Sequence, residues 1–169
     1  ESLGIFDCEK AIPPLVSALK SRDATVRRFA ANALGRIRSK EALQPLIDIL
    51  VYDNSGSVRE EAAKALGKIK SRRAIESLID ALMDKNNEGR SGAAEALGRI
   101  KAENAVDHLI SALTDTDDFT RLAAAKALGR IKPKKAIEPL IDSLYDWNRF
   151  VKAEAAGALK KICTEEDRQ

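Results

Sequence analysis

The sequence predicts an all-α solenoid of about five two-helix repeats with a period of 31 residues, and three observations lead to that prediction. A Leu-Gly pair recurs every 31 or 32 residues, and a Leu-Ile or Leu-Val pair recurs in step with it in the preceding half of each unit. Both halves carry apolar residues at helical spacing. Because 44% of the residues are hydrophobic but only 4% are aromatic, the core must be aliphatic.

Each unit begins with an amphipathic helix and continues with a second one. The first helix of the first unit places these apolar residues on one face: Ala11, Leu15, Ala18 and Leu19. The second helix does the same with Val26, Ala30, Ala33, Leu34 and Ile37. Polar links such as SRDAT and DTDDF supply N-cap and turn residues, so the two helices of a unit are predicted to pair antiparallel.

The recurring glycines are predicted to be packing positions. Glycine inside a helix is less favourable than alanine by about 1 kcal/mol, so its return at one helical position in four units indicates a close approach by a neighbouring helix. At Leu159-Lys160 a lysine replaces that glycine, which is typical of an end repeat.

The repeat period also divides the chain into units, with a polar tail at 164–169. Residues 1–7 repeat the end of a unit, since Leu3-Gly4 lies 31 residues before Leu34-Gly35. We therefore expect them to be the remnant of a preceding repeat, and the chain to be a fragment of a longer repeat array. The predicted repeats are 8–38, 39–70, 71–101, 102–132 and 133–163.

The repeated pattern resembles the HEAT-like repeats of phycobilin lyase subunits. AIEPLIDSL and TRLAAAKALGRI carry the resemblance, which covers essentially the whole chain. It implies a right-handed superhelix with the first helices outside and the second helices lining the inner surface. It also implies a ladder of charge-assisted hydrogen bonds between repeats, made by basic residues that begin the second helices and by acids of the turns: Arg27, Arg59, Arg90, Arg121 and Lys152 with Asp84, Asp115 and Asp146.

The net charge of +3 conceals two faces of opposite sign. Helical geometry gives the outward columns of the first helices a net charge of −6 and those of the second helices +6. Acids early in a helix and bases in its last turn also suit the helix dipole, so part of this pattern needs no partner. The most basic column consists of Arg36, Lys68, Arg99, Arg130 and Lys161.

On this basis we expect a partner protein with an acidic segment to bind along the inner surface. Phe29 either contacts that partner or packs against a preceding repeat, and Trp147 and Phe150 either contact it or cap the final core. The predicted partner-binding residues are Arg28, Phe29, Arg36, Glu61, Lys64, Lys68, Glu95, Arg99, Lys126, Arg130, Trp147 and Phe150.

The sequence supports little chemistry. One histidine, His108, and two cysteines leave no material for a metal site or a nucleophile with its base, so we expect no catalytic residues, no metal and no cofactor. Cys8 and Cys163 are predicted to lie about 40 Å apart, which indicates reduced thiols and a cytoplasmic protein. No apolar run reaches the roughly 20 residues that a membrane span needs.

The predicted function is therefore a non-catalytic scaffold for protein binding. Two alternatives stay open. The resemblance alone suggests a bilin lyase or another chromophore-handling subunit, and the basic groove suggests a HEAT-like protein that binds nucleic acid. Glutamates interrupt that groove and aromatic stacking platforms are few, so nucleic acid fits it less well than protein does.

Overall fold

The computed structural model describes residues 9–84 and 88–166, and over these ranges the chain is an α-solenoid without β-strands. The first helices are α1 (Ile12–Ala18), α3 (Leu43–Tyr52), α5 (Ile75–Met83), α7 (Val106–Ser111) and α9 (Ile137–Asp142). The second helices are α2 (Ala24–Ile37), α4 (Gly56–Ile69), α6 (Arg90–Ile100), α8 (Asp118–Ile131) and α10 (Arg149–Glu166). The predicted all-α solenoid is confirmed. Residues 1–7, the predicted remnant of a preceding repeat, and Cys8 lie outside the described ranges.

A continuous aliphatic core runs between the two helix layers. Fully burying a leucine side chain stabilises a fold by about 1.5–3 kcal/mol, so the one or two fully buried leucines of each helix from α2 to α9 provide much of the driving force. Over the described ranges, no helix combines the length and apolar composition that a bilayer span requires. The fully buried leucines of the two layers are Leu34, Leu46, Leu50, Leu66, Leu78, Leu97, Leu109, Leu128 and Leu140.

The recurring glycines bring the second helices into backbone contact. A Cβ atom placed on Gly35 would lie 2.6 Å from the Cα atom of Ala65 in the next repeat, and one on Gly98 would lie 2.6 Å from the Cα atom of Ala127. Gly67 and Gly129 make the same approach to the following second helix. This confirms the predicted packing role, because any side chain at these positions would push two helices apart.

The first helices do not approach each other so closely. A groove of about 760 Å³ opens between α1 and α3, where Val16 and Ile49 line it, and another of about 440 Å³ opens beside Met83 and Thr114. Helices that touch on one side of a stack and stand apart on the other make the stack curve. The second helices therefore form the inner surface, as the resemblance implied.

Bidentate ion pairs tie consecutive repeats together at the links inside each repeat. Arg121 donates from Nε to Asp146 Oδ2 at 2.7 Å and from Nη2 to Oδ1 at 3.1 Å, while its Nη1 donates to the carbonyl oxygen of Asp115 at 2.8 Å. Arg27 pairs in the same way with Asp53. Arg90 pairs with Asp115 through two further hydrogen bonds, of 2.8 and 2.9 Å. The pairs of Arg90 and Arg121 join residues of the predicted ladder, and Arg27 extends it to Asp53, which the prediction did not name.

At the opposite edge of the solenoid, four second helices end in a left-handed residue that is not glycine. Arg38, Lys70 and Lys101 have φ of 58°, and Lys132 has φ of 64°. This region favours glycine, because a Cβ atom there costs about 1–2 kcal/mol. The N–H of Lys70 donates to the carbonyl oxygen of Leu66 at 3.0 Å, which closes the last turn of α4.

The glycine contacts predict opposite effects of one substitution at two sites. We expect Gly98→Ala to destabilise the fold by about 1–2 kcal/mol, because the clash with Ala127 exceeds the gain of about 1 kcal/mol in helix propensity. Gly157 has nothing within 4 Å of its added Cβ. Gly157→Ala should therefore stabilise the fold by up to about 1 kcal/mol. Urea unfolding of the two variants measures both effects, and equal stabilisation would contradict the packing role.

The ladder predicts a large loss when one partner of a buried pair is removed. The side chains of Arg121 and Asp146 are 6% and 8% exposed, so Arg121→Met leaves a carboxylate without its partner and should destabilise the fold by about 3–5 kcal/mol. Lys135 forms an exposed pair with Asp107 at 2.7 Å, and Lys135→Met should cost at most about 1 kcal/mol. Thermal unfolding distinguishes the two, and similar losses would show that the ladder is only a surface feature.

The ladder also predicts how stability depends on acid. Hydrogen bonds from Arg121 lower the pKa of Asp146 below its ordinary value; burial opposes that shift and the N–H of Asn148 supports it. The resulting stabilisation is complete above the ordinary carboxyl pKa of about 3.9 and is lost as pH falls through the lower native pKa. We expect Asp146→Asn to flatten the fall in unfolding free energy between about pH 4 and pH 2. An unchanged slope would contradict the shifted pKa.

Candidate functional site

All but one of the predicted partner-binding residues lie on the second helices, and so on the inner surface. Trp147 is the exception, because it lies in the link that precedes α10. Arg28, Phe29 and Arg36 belong to α2, and Phe150 is the second residue of α10. The remaining residues belong to α4, α6 and α8: Glu61, Lys64, Lys68, Glu95, Arg99, Lys126 and Arg130.

The centre of the inner surface is a network of charges that pair with one another. Glu60 and Lys64 form an ion pair of 2.5 Å within α4, and Glu95 and Arg99 form one of 2.8 Å within α6. Glu61 accepts a hydrogen bond of 2.6 Å from Asn32 Nδ2 of the preceding repeat. The network therefore crosses a repeat boundary. It also holds Lys64 and Arg99 in ion pairs that the sequence did not predict.

The pKa values of two residues record this mutual pairing. Burial lowers the pKa of Lys64, but the hydrogen bond to Glu60 and the nearby carboxylates of Glu61 and Glu95 outweigh it, so that the pKa is raised overall. Burial raises the pKa of Glu95, but the hydrogen bond from Arg99 and the charges of Lys64 and Lys126 outweigh it and lower the pKa. Both groups stay charged at neutral pH.

The predicted basic column is therefore not a row of free cations. Lys68 lies 3.9 Å from a carboxylate oxygen of Glu61, Arg99 pairs with Glu95, and Lys161 lies 3.8 Å from Glu154. Each of these acids stands one or two turns earlier on the same helix, so the glutamates that interrupt the groove in the sequence also pair with three cations of the column. Among the described ion pairs, none involves the inner-surface cations Arg36, Lys126 and Arg130.

Besides Val26 and Phe29 on α2, exposed apolar side chains occupy the half of the inner surface nearer the C-terminus. Phe119 is 70% exposed and Phe150 is 58% exposed, each at the second position of its helix. Phe119 and Leu122 line a shallow groove of about 170 Å³ on the inner surface. Phe119 and Leu122 were missing from the prediction, although Phe119 lies 31 residues before Phe150 and shares its repeat position. The other residues of the groove are Glu60, Lys64, Ser91, Glu95, Ala123 and Lys126.

Trp147 and Phe150 do not cap the final core, so that alternative is wrong. Trp147 is 76% exposed, and its ring lies 5.0 Å from the guanidinium carbon of Arg121, so it covers the outer side of a ladder ion pair. The ring of Phe150 lies 4.8 Å from the guanidinium carbon of Arg149. The core at this end is closed by Val151 and Ile162 instead. Phe29, 63% exposed, leaves both of its alternatives open.

The described residues contain no cluster of three or more His, Cys, Asp or Glu side chains that could hold a metal ion. His108 is half-buried in α7, and its Nδ1 atom is buried without a hydrogen-bond partner. The arrangement as a whole offers charge, exposed apolar rings and a long curved surface, which suit binding.

Comparison with solved structures places the fold among repeat proteins. A chain from the complex of CpcE and CpcF of phycocyanin lyase from Nostoc sp. PCC7120 superposes with a TM-score of 0.77 and 28% identity. The match covers 90% of the present chain, which spans 65% of the length of that relative. An engineered protein matches at 26% identity and a TM-score of 0.66, over 90% of this chain and 79% of its own.

A designed armadillo repeat protein shares the fold at 22% identity and a TM-score of 0.61, over 90% of this chain and 82% of that one. No curated protein sequence is significantly similar to the chain. The sequence model for HEAT repeats matches residues 1–56, 43–124 and 106–169. Since these matches cover the whole chain, and the fold agrees, the protein belongs to the HEAT repeat family.

Proposed function

We propose that this protein is a non-catalytic scaffold that binds a partner protein along the inner surface of the solenoid. The observation that carries the proposal is the exposure of Phe119 and Phe150 on α8 and α10, with Lys126 in the same groove as Phe119 and Arg130 one turn beyond Lys126. An aromatic side chain exposed to this extent is costly in water and is favoured at the centre of protein interfaces.

The chemistry of this patch defines the segment that would fit it. Ala123 lines the groove beside Phe119, and Ala153 and Gly157 follow Phe150 by three and seven residues on the same face of α10, so that a partner can approach the helices closely. Lys126 and Arg130 stand about two and three turns after Phe119 along α8. We therefore propose a partner segment that places an apolar side chain against Phe119 and an acidic residue against these cations.

The paired charges nearer the N-terminus would set register rather than affinity. Glu60, Lys64, Glu95 and Arg99 already satisfy one another, so a partner gains little by replacing those contacts. A wrongly placed charge would nonetheless be rejected, because like charges across an interface cost several kcal/mol. The relative that is similar to this chain was solved in a complex of two proteins, CpcE and CpcF, which supports a protein partner in general.

The test compares inner-surface and outer-surface aromatic residues by affinity capture from a nuclease-treated lysate of the source cells. A double variant, Phe119→Ala and Phe150→Ala, should lose the captured protein, with affinity falling by at least about 30-fold. The control variant carries Tyr52→Ala and Tyr145→Ala, which remove rings that are 82% and 84% exposed at the ends of first helices. Equal capture by both variants would exclude the inner surface as the binding site.

A second variant tests the acidic character of the partner segment. Lys126→Glu together with Arg130→Glu should weaken capture of the same protein by at least about tenfold, because two attractive charge pairs become repulsive. Charge reversal on the outer surface at Asp80 and Asp142, both exposed, serves as the control. If the inner-surface variant captured the protein as well as the wild type does, the partner segment would not be acidic, and only its apolar contact would remain as a proposal.

A lyase subunit is the second candidate, and its support is the similarity to a chain of phycocyanin lyase at 28% identity. Mixing the protein with a bilin and an acceptor apoprotein, then separating the products on a denaturing gel, tests it directly. A coloured acceptor band would favour this candidate. If no coloured band forms although the affinity capture has identified a partner protein, the result would favour a scaffold without lyase activity.

A further inference from the structure

The strongest concentration of charge on the molecule lies at one edge of the solenoid. Four links join each second helix to the first helix of the next repeat. They contain nine Lys and Arg residues against two Glu, a net charge of +7 in a chain whose total is +3. We call these links the basic edge, and they are residues 38–41, 70–73, 101–104 and 132–135.

The links inside each repeat, at the opposite edge, have the reverse sign. Over the described residues they carry seven acidic residues against two basic ones, a net charge of −5, in residues 19–23, 53–55, 84, 88–89, 115–117 and 146–148. Asp53, Asp115 and Asp146 of this edge are neutralised by the ladder arginines. The basic edge has fewer such partners, since Arg38, Lys40, Lys70, Arg72 and Arg73 form none of the described ion pairs.

Helix-end electrostatics accounts for only half of this charge. Arg38, Lys70 and Lys101 follow the C-termini of second helices, where cations are favourable. Arg72, Arg73 and Lys135 instead lie directly before first helices, and the N-terminus of a helix disfavours positive charge. Lys135 pairs with Asp107 of the preceding repeat. Arg72 and Arg73 form none of the described ion pairs, so helix-end electrostatics does not account for these two cations.

The links present their first cation in a uniform way. Arg38, Lys70, Lys101 and Lys132 all adopt the left-handed conformation that favours glycine, so equivalent side chains leave the backbone with the same local geometry in four successive repeats. With repeats about 8–10 Å apart, the row is about 30 Å long. Except for the half-buried Lys132, these four side chains are exposed.

From this row we infer a second binding site, separate from the inner surface, for the phosphate backbone of a double-stranded nucleic acid. A duplex carries one negative charge per about 1.7 Å of its axis, so a row of about 30 Å faces roughly nine base pairs. Contacts to phosphates alone position a protein without reading bases. The basic edge would therefore bind duplexes of any sequence.

The composition of the links favours a duplex over other polyanions. None of the large exposed apolar residues in the described chain lies in these four links, so they offer neither a stacking platform for single-stranded bases nor an anchor for a membrane. An acidic peptide presents at most one charge per about 3.3 Å, half the density of a duplex. A rigid row of cations that makes no apolar contacts gains the most binding free energy from the ligand with the highest density of negative charge, which is the duplex.

The test measures binding of a fluorescent duplex of about 20 base pairs by anisotropy over a range of salt concentrations. The variant carries Lys70→Gln, Arg72→Gln and Arg73→Gln. The control carries Lys20→Gln, Arg22→Gln and Arg149→Gln, which remove three exposed cations elsewhere and change the net charge equally. All six side chains are exposed, so both variants should keep the circular dichroism and melting temperature of the parent.

We expect the wild type and the control to bind the duplex, and the basic-edge variant to lose at least about tenfold in affinity at 100 mM salt. The slope of log K against log salt should decrease in magnitude by about 2–3, because three phosphate contacts disappear. Two duplexes of unrelated sequence should bind equally. The inner-surface variant at Phe119 and Phe150 should bind the duplex normally, which separates this site from the proposed protein site.

Three results would overturn the proposal. Equal losses in the variant and its control would mean that only net charge matters. Absence of duplex binding by the wild type would exclude the site outright. Binding to phosphatidylserine vesicles or to polyglutamate that is stronger than binding to the duplex, and that is lost in the same variant, would assign the basic edge to a membrane or to an acidic protein instead.

Discussion

Backbone contact between consecutive second helices is the constraint on which the rest of this structure depends. In four successive repeats, the glycine of the Leu-Gly pair faces an alanine of the next repeat at a distance that excludes any further side chain; these glycines are Gly35, Gly67, Gly98 and Gly129. That contact determines which helix layer is shorter, and therefore which surface curves inward. The same layer then carries both the exposed aromatic rings and the paired charges of the candidate site.

The two sets of links, at opposite edges of the solenoid, differ in charge more than the paired inner surface suggests. At the links inside each repeat, arginines and aspartates neutralise one another in the ladder and join the repeats. On the inner surface, glutamates stand close enough to pair with most of the basic column. The links between repeats keep the largest excess of one sign, so a modest total charge of +3 coexists with one strongly basic edge.

Much of this could be predicted from the sequence because the features repeat. The period, both helices of each unit, the glycine contact and the ladder arginines each occur several times, and helical spacing places them on definite faces. Pairing of Lys68 with Glu61 and of Arg99 with Glu95 was missed, because a column counted alone ignores its neighbours on the helix. The exposure of Trp147 was also open, since sequence does not show whether an aromatic ring in a turn folds onto the core.

The contrast between the two layers has a mechanical consequence. Because the backbones of consecutive second helices touch, the spacing between them cannot change, and any bending of the solenoid must take place in the layer of first helices. The open grooves between first helices can narrow or widen at little cost, since the helices stand apart there. Flexing would thus alter the outer spacing while the distance from repeat to repeat along the inner surface stays constant. A partner would therefore bind an inner surface whose repeat spacing is constant and whose curvature can adjust.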